Sequence, residues 1–350
     1  MKIKWGIIGC GDVADHKIGP AFSRVADSEL VAVMRRDAEK AKDFARRHKV
    51  PKYYSDVDAL LRDDEINAVY IATPHYLHAE HTVKAAESGK HVLCEKPMAI
   101  SVQECGKMID ACETNKVELM IAYYQRLQPA HQKVRELISQ GAIGKIILCK
   151  AQTGIWRYPA GWFGKKEFTG GGVLMEVGTH IIDLLRFLLG EIVEVSAHTD
   201  ALLFGCSVED TSSMIVRFED GAHGSMIFSY AVPDLGSNIE ICGTQGKISW
   251  STFVWKGDLV VKAYMHDELP RSEIVTNLET VDHEYREYRY ETDMVSQRVP
   301  MIENFVESVN MGKESLLPGI EGLRDQQIIL AAYESSKSKK TMRVNDILGL

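Results

Sequence analysis

Ile3, Ile7 and Ile8 mark a short apolar strand that runs straight into Gly9-Cys10-Gly11, and Asp12-Val13-Ala14-Asp15 reads as the first turn of a helix. Gly19-Pro20 interrupts that helix and restarts it at Pro20. Glu29 to Met34 is a second apolar strand, and Asp37 to His48 is a charged amphipathic helix. The alternation continues. Ser55 to Leu61 is a short helix that Ser55 or Asp56 can cap, and Ala68 to Ala72 is a strand stopped by Thr73-Pro74. Tyr76 to Ser88 is helical and ends at Gly89, His91 to Cys94 is a strand, Ser101 to Asn115 is a helix, and Val117 to Ala122 is a strand. Strands and helices alternating at this spacing predict a doubly wound parallel sheet.

From Lys145 the pattern changes to alternating polar and apolar residues: 145–153, 192–204, 211–218, 223–232, 238–242, 247–250 and 259–264. Turn signals at Glu219-Asp220-Gly221 and Gly243-Thr244-Gln245-Gly246 join several of these runs, which predicts a large, mostly antiparallel sheet. One sheet face is expected to pack on a helix over 170–190, and 300–311 and 319–336 are late helices near the domain junction. The fold class is therefore α/β, with a dinucleotide-type domain over 1–122 and an α+β domain over 123–350. A chain of 350 residues comfortably holds two domains.

A net charge of -8 argues against nucleic acid or an anionic membrane as the main partner and favours a small molecule. Strand-forming sequence begins within three residues of Met1, which leaves no room for a signal peptide. No apolar stretch approaches the roughly 18 residues of a membrane span. A cytoplasmic protein is expected. The seven cysteines lack C-x-x-C spacing and suggest reduced thiols rather than disulfides or zinc.

The glycine turn sits where a dinucleotide pyrophosphate binds. Gly9 permits the tight turn, Gly11 lets backbone approach the phosphates, and Ala14 fills the third, small position. The amides of Asp12 and Val13 head the helix and offer N–H groups to the anion. A tight turn with no ligand is the plainer alternative. At the end of the second strand, where an acid usually binds the adenosine ribose, the sequence has Arg35-Arg36. Two guanidinium groups suit a 2'-phosphate, so NADP(H) is favoured and NAD(H) remains open. The alternative is a solvated basic corner with Asp37 as the ribose acceptor.

Lys96, in Glu95-Lys96-Pro97, follows a parallel strand at its carboxyl end, where such sheets bind ligands. A partly desolvated lysine there stabilises negative charge developing on a reacting oxygen; a surface lysine paired with Glu95 is the alternative. In the 170–190 helix, Glu176, His180 and Asp183 fall within a sector of about 60° at 100° per residue. A carboxylate one turn before a histidine can orient the ring for acid/base work, and a hydrogen-bonded core histidine is the alternative. His75, His78 and His81 straddle a helix start, drift around it and lack a completing ligand, so no metal site is expected. Tyr124, Arg126, Trp156 and Trp162 lie between the two patterned halves and offer stacking and hydrogen-bonding groups for a polyol pocket, or equally for domain packing.

Taken together, these motifs resemble the glucose-fructose oxidoreductase / inositol dehydrogenase (Gfo/Idh/MocA) family of NAD(P)-dependent oxidoreductases. The resemblance rests on the glycine turn, Thr73-Pro74-His75-x-x-His78, Glu95-Lys96-Pro97, the Gly170-Gly171-Gly172 helix with His180, and the strand-rich second half. It implies a Rossmann first domain and a Lys96 that contacts both the nicotinamide ribose and a substrate hydroxyl. It also implies His180 as the acid/base, with Thr73, Pro74, His78, Glu95 and Trp162 around the cofactor. Asp183 joins His180 on the substrate side. Many members have Asp four residues before this histidine, where the chain has Glu176, and many have Trp-Arg ahead of the glycines, where it has Trp162-Phe163. The resemblance further implies that the outer sheet face is a subunit interface, giving a homodimer or homotetramer.

The expected activity is hydride transfer between nicotinamide and a sugar, polyol or related substrate. Two alternatives keep the same fold. One is a non-catalytic dinucleotide sensor, which the presence of both Lys96 and His180 disfavours. The other is redox-assisted glycoside cleavage, which gives no net change in cofactor oxidation state.

Overall fold

A computed structural model describes residues 1–254, 256–266 and 284–347. The first half builds β1 (Ile3–Ile8), α1 (Gly19–Phe22), β2 (Ser28–Met34), α2 (Ala38–His48), β3 (Lys52–Tyr54) and α3 (Val57–Leu61). It continues with β4 (Ala68–Ile71), α4 (His78–Glu87), β5 (His91–Cys94), α5 (Val102–Asn115) and β6 (Leu119–Ile121). The six strands are all parallel, in the order β3-β2-β1-β4-β5-β6. The order reverses beside β1, which opens the crevice at its carboxyl end. β4 and most of β1 are buried on both faces, which is why they read as continuous apolar runs.

Helix boundaries follow their caps. Asp37, Asp56 and Ser101 accept from the amides of Lys40, Ala59 and Glu104 and start α2, α3 and α5. The glycine turn leads into a wider, π-type turn over Ala14–Ile18, and the chain restarts as α1 with Pro20 in its first turn.

The second half adds α6 (Pro129–Ser139), β7 (Ile146–Gly154), α7 (Lys166–Thr169), α8 (Thr179–Leu189), β8 (Ile192–Asp200), β9 (Thr211–Phe218) and β10 (His223–Ser229). Then follow β11 (Ser237–Gly243), β12 (Gly246–Ser251), β13 (Lys256–Met265), β14 (Glu284–Asp293), α9 (Val299–Met311), α10 (Gly319–Ser338) and β15 (Met342–Arg343). The nine-stranded sheet is ordered β14-β13-β12-β11-β7-β10-β9-β8-β15, and its β7–β10 pairing alone is parallel. One face packs on α8 through Ile181, Leu184, Leu185 and Leu188.

Two apolar cores result. The first gathers β1 to β6 with Met301, Ile302 and Phe305 of α9, so the chain returns to the parallel-sheet domain after building the second sheet. The second core lies between the nine-stranded sheet and α8 and α10. α6, β3, β14 and β15 are not among the elements expected from sequence; β3 and β15 have only three and two residues, whereas α6 does carry an apolar face of Ala130, Val134 and Leu137. Among the described residues no helix is long and apolar enough to cross a membrane.

Candidate active site

Gly9 closes β1 with φ at +94°, and a Cβ there would lie 2.8 Å from the Ala72 carbonyl carbon. Only glycine fits without strain. The amides of Gly9 and Cys10 both donate to the Met34 carbonyl, at 3.0 and 3.1 Å, which ties the turn to the end of β2. At Gly11 the opposite holds, because a Cβ would meet nothing closer than 3.9 Å and would project into open space. That space is a groove of about 970 Å³ lined by Gly9, Gly11, Asp12, Val13, Thr73 and Pro74, among others. Ala14 is fully buried behind the turn. These residues fit a dinucleotide: the glycine face is bare, and the first helical amides have no intrahelical acceptor.

Arg35, Arg36 and Lys40 line the groove at the carboxyl end of β2. Arg35 is held in place by a bond from its Nη1 to the Cys10 carbonyl, 3.3 Å away, and Arg36 is exposed. Asp37 lines the same groove. One carboxylate oxygen caps α2 and the other lies 3.4 Å from Lys40 Nζ.

The three histidines after β4 each have a separate task. His78 lies between the carbonyls of Pro97 and Thr73, 2.9 Å from each, and so links the two loops at the carboxyl ends of β4 and β5. His75 contacts the Thr169 carbonyl at 3.2 Å, and His81 the Thr73 hydroxyl at 3.2 Å. Burial lowers the pKa of all three. Among the described residues no cluster of metal-ligating side chains occurs.

Lys96 does not pair with Glu95 through its side chain. Glu95 accepts from the Tyr70 hydroxyl and from the Lys96 amide, while Lys96 Nζ donates 2.8 Å to the backbone carbonyl of Glu176. Burial pushes the Lys96 pKa down, opposed by the nearby carboxylates of Glu176 and Glu95.

The opposite wall begins with Gly171 and Gly172. A Cβ on Gly171 would overlap the Tyr333 hydroxyl at 1.8 Å, and one on Gly172 the Glu209 carbonyl at 1.9 Å. Glu209 then caps the helix, its carboxylate accepting from the amides of Gly172 (2.8 Å) and Leu174 (3.0 Å). The first turn that follows, Leu174–Gly178, is π-type, and α8 proper starts at Thr179. This changes the register on which a shared edge for Glu176, His180 and Asp183 was expected. Glu176 does not orient His180; its carboxylate is taken by Arg157 and the Tyr230 hydroxyl.

His180 instead stands between the rings of Tyr124 (5.3 Å) and Phe253 (5.5 Å), with Nδ1 unpartnered among the described residues. Burial drives its pKa well below the ordinary value, and the positive charges of Lys96, Arg298 and Lys17 lower it further. The imidazole is neutral near pH 7.

Asp183 and Arg126, expected at the substrate, belong to a buried ion-pair cluster. Arg126 Nε donates 2.8 Å to Asp183, Arg126 Nη2 lies 2.9 Å from Glu321, and Arg186 pairs with Glu321 and Asp325. Neither Asp183 nor Arg126 lines the cavity. Trp156 is also absent from it; the ring is 63% exposed and packs on Phe204.

What the fold does bring together is a cavity of about 200 Å³ that includes Lys96, Tyr124, Glu176 and His180. Trp162 and Phe163, stacked at 3.8 Å, line both this cavity and the groove. Among the charged and aromatic lining residues, Lys17, Phe253 and Arg298 escaped sequence reading, while Arg157 lies in the 156–162 segment that offers hydrogen-bonding and aromatic side chains for a pocket. Lys17 lies four residues after Val13 on the first helix, so helical counting could have found it. Arg157 lines both the cavity and the groove and sits 4.4 Å over the Phe163 ring. Phe253 comes from the loop after β12 and Arg298 from a 3-10 turn that leads into α9, and neither has a local signal.

Residues 3–123 match the model of an oxidoreductase family with an NAD-binding Rossmann fold, GFO_IDH_MocA, and residues 131–249 match the GFO/IDH/MocA C-terminal domain. The chain is 31% identical over 262 residues to a trans-1,2-dihydrobenzene-1,2-diol dehydrogenase of Xenopus laevis, covering 75% of this chain and 79% of that one. It is 30% identical over 249 residues to a 1,5-anhydro-D-fructose reductase of Ensifer adhaerens, covering 70% and 74%. The crystal structure of an aldose-aldose oxidoreductase from Caulobacter crescentus, complexed with glycerol, superposes with a TM-score of 0.84 at 27% identity, covering 98% of this chain and all of that one.

Proposed function

Because this chain belongs to the GFO/IDH/MocA oxidoreductase family, we propose that it transfers hydride between a nicotinamide and a sugar or polyol, with NADP(H) preferred. The observation that carries this reading is the convergence of Lys96 and His180 on one cavity that is continuous with the glycine-turn groove.

When bound, the dinucleotide supplies the carbon that accepts or gives the hydride. Gly9 and Gly11 let backbone approach its phosphates, and Thr73, Pro74, His78 and Glu95 shape the loops beside its nicotinamide end. Arg35 and Arg36 receive a 2'-phosphate. Trp162 and Phe163 cover the junction of groove and cavity and restrict water there. Lys96 hydrogen-bonds the reacting oxygen; its present acceptor, the Glu176 carbonyl, holds the ammonium in position beforehand. His180, neutral and half-enclosed by aromatic rings, takes the hydroxyl proton in oxidation and returns it in reduction. Glu176 acts as a positioning residue, through its backbone carbonyl and its pair with Arg157. Tyr124 forms a wall of the substrate cavity. The outer face of the nine-stranded sheet, which exposes Ile215 and Ile227, serves self-association into a dimer or tetramer.

A panel of sugars and polyols with NADP+ and NAD+, and of aldoses with the reduced cofactors, read at 340 nm, tests the proposal. Net cofactor turnover with at least one class, faster with NADP(H), is expected. Cofactor binding without net turnover across the panel would favour a sensor or an internally redox-neutral reaction.

A further inference from the structure

The ionic side chains of the cavity are unbalanced: Lys17, Lys96, Arg157 and Arg298 face two carboxylates, Glu95 and Glu176. Three of the four cations have identifiable uses. Arg157 pairs with Glu176. Lys96 is committed to the reacting oxygen. Lys17 lines the dinucleotide groove as well as the cavity, so its charge also faces the cofactor.

Arg298 lines the cavity and is absent from the groove. It is 7% exposed. Its Nη1 donates to the Met294 carbonyl at 3.1 Å and to Gln297 Oε1 at 2.9 Å, both neutral acceptors. Its guanidinium carbon stacks 3.8 Å over the Tyr124 ring, which fixes the plane of the fork beside His180. Among the described residues no carboxylate lies within ion-pair distance of it. A guanidinium withdrawn from water without a counter-charge is costly unless a ligand supplies one. The depressed pKa of His180, to which Arg298 contributes, reports the same positive field.

We propose that the substrate is an acid, a polyhydroxy carboxylate whose anionic group pairs with Arg298 while its reacting carbon lies between Lys96 and His180. The inference rests on that cavity being the substrate site. The shared chemistry is an anionic group whose oxygens accept two N–H bonds from a planar fork, which a phosphate ester also offers. A cavity of about 200 Å³ favours the smaller carboxylate. An arginine retained only for its stacking on Tyr124 would show no such preference.

The test is calorimetric titration of the enzyme saturated with NADPH or NADH, whichever binds more tightly, so that no turnover follows. The probes are D-gluconate, D-glucitol and D-glucitol 6-phosphate, which share one polyol chain. Gluconate is expected to bind at least about tenfold more tightly than glucitol, the scale of one charge-assisted contact. Arg298→Met is expected to bring the two within about twofold at unchanged cofactor affinity, and Arg298→Lys to keep part of the preference. Tightest binding of the phosphate ester would support the anion site and assign it the phosphate source. Equal binding of gluconate and glucitol, no binding of either anion, or a preference that survives in Arg298→Met overturns the proposal. Any of these results leaves the hydride-transfer reading standing, since that reading falls only if Lys96→Met keeps normal turnover or no substrate is turned over.

Discussion

Replacing Arg35 with Ser isolates the basis of cofactor choice. Arg35 is half-buried and its Nη1 is anchored on the carbonyl of Cys10, so it is oriented before ligand arrives. A hydrogen bond to a charged group contributes about 1.5–3 kcal/mol, and partial exposure places Arg35 at the lower end, near 1.5 kcal/mol. That corresponds to about a tenfold loss of NADPH affinity. Arg36 is exposed, and its contribution should stay below about 1 kcal/mol because solvent screens it. NADH lacks the 2'-phosphate and should bind the Arg35→Ser protein as it binds the wild type. Raising the salt from 0.1 to 1 M shortens the Debye length from about 10 to about 3 Å, so NADPH affinity should fall more than NADH affinity. Fluorescence titration of both reduced cofactors on wild type, Arg35→Ser and Arg36→Ser gives all of these quantities. Stronger binding of NADH by the wild type, or an unchanged NADPH/NADH ratio in Arg35→Ser, would show that the two arginines form a solvated corner.

Other substitutions separate the site from its supports. His180→Asn should lower turnover by about 100-fold. In the wild type the proton-accepting, neutral imidazole dominates across neutral pH because burial and three neighbouring cations depress its pKa; the acid limb of the oxidation profile should therefore lie well below the ordinary imidazole range and vanish in the mutant. Gly9→Ala forces a side chain onto a positive-φ backbone and against Ala72; a cost of about 1–3 kcal/mol in denaturant unfolding and loss of cofactor binding are expected. Arg126→Met leaves Asp183 and Glu321 without this partner and should destabilise by about 3–5 kcal/mol, with KM unchanged in the protein that remains folded. A raised KM at normal stability would return Arg126 to the substrate site.

Most of the parallel sheet was legible because its strands are buried on both faces and its helices carry local caps such as Asp37, Asp56 and Ser101. The glycine turn was legible for the same reason, since its geometry is set within a few residues. The 174–178 segment was not. A single wide turn ahead of α8 breaks the regular 100° count, so Glu176 meets Arg157 and Tyr230 rather than His180. Arg126 and Asp183 were misplaced for another reason: polar residues near a domain junction look alike in sequence whether they face ligand or one another. Arg126's second partner, Glu321, lies almost 200 residues away in the chain, and only folding reveals it. Arg298 reaches the cavity from beyond the second sheet, on the same long-range terms.

The central claim is that hydride passes at the Lys96 and His180 cavity, and a single-turnover experiment with NADPH carrying deuterium at both C4 positions tests it most directly. The wild type and Lys96→Met, each saturated with labelled cofactor, are mixed with the carbonyl form of a substrate found by the panel, and the product is weighed by mass spectrometry. Deuterium should appear in the wild-type product, and Lys96→Met should transfer it at least about 100-fold more slowly at a cofactor affinity within a few-fold of normal. Label that stays in the cofactor, or transfer by Lys96→Met at the wild-type rate, would contradict it.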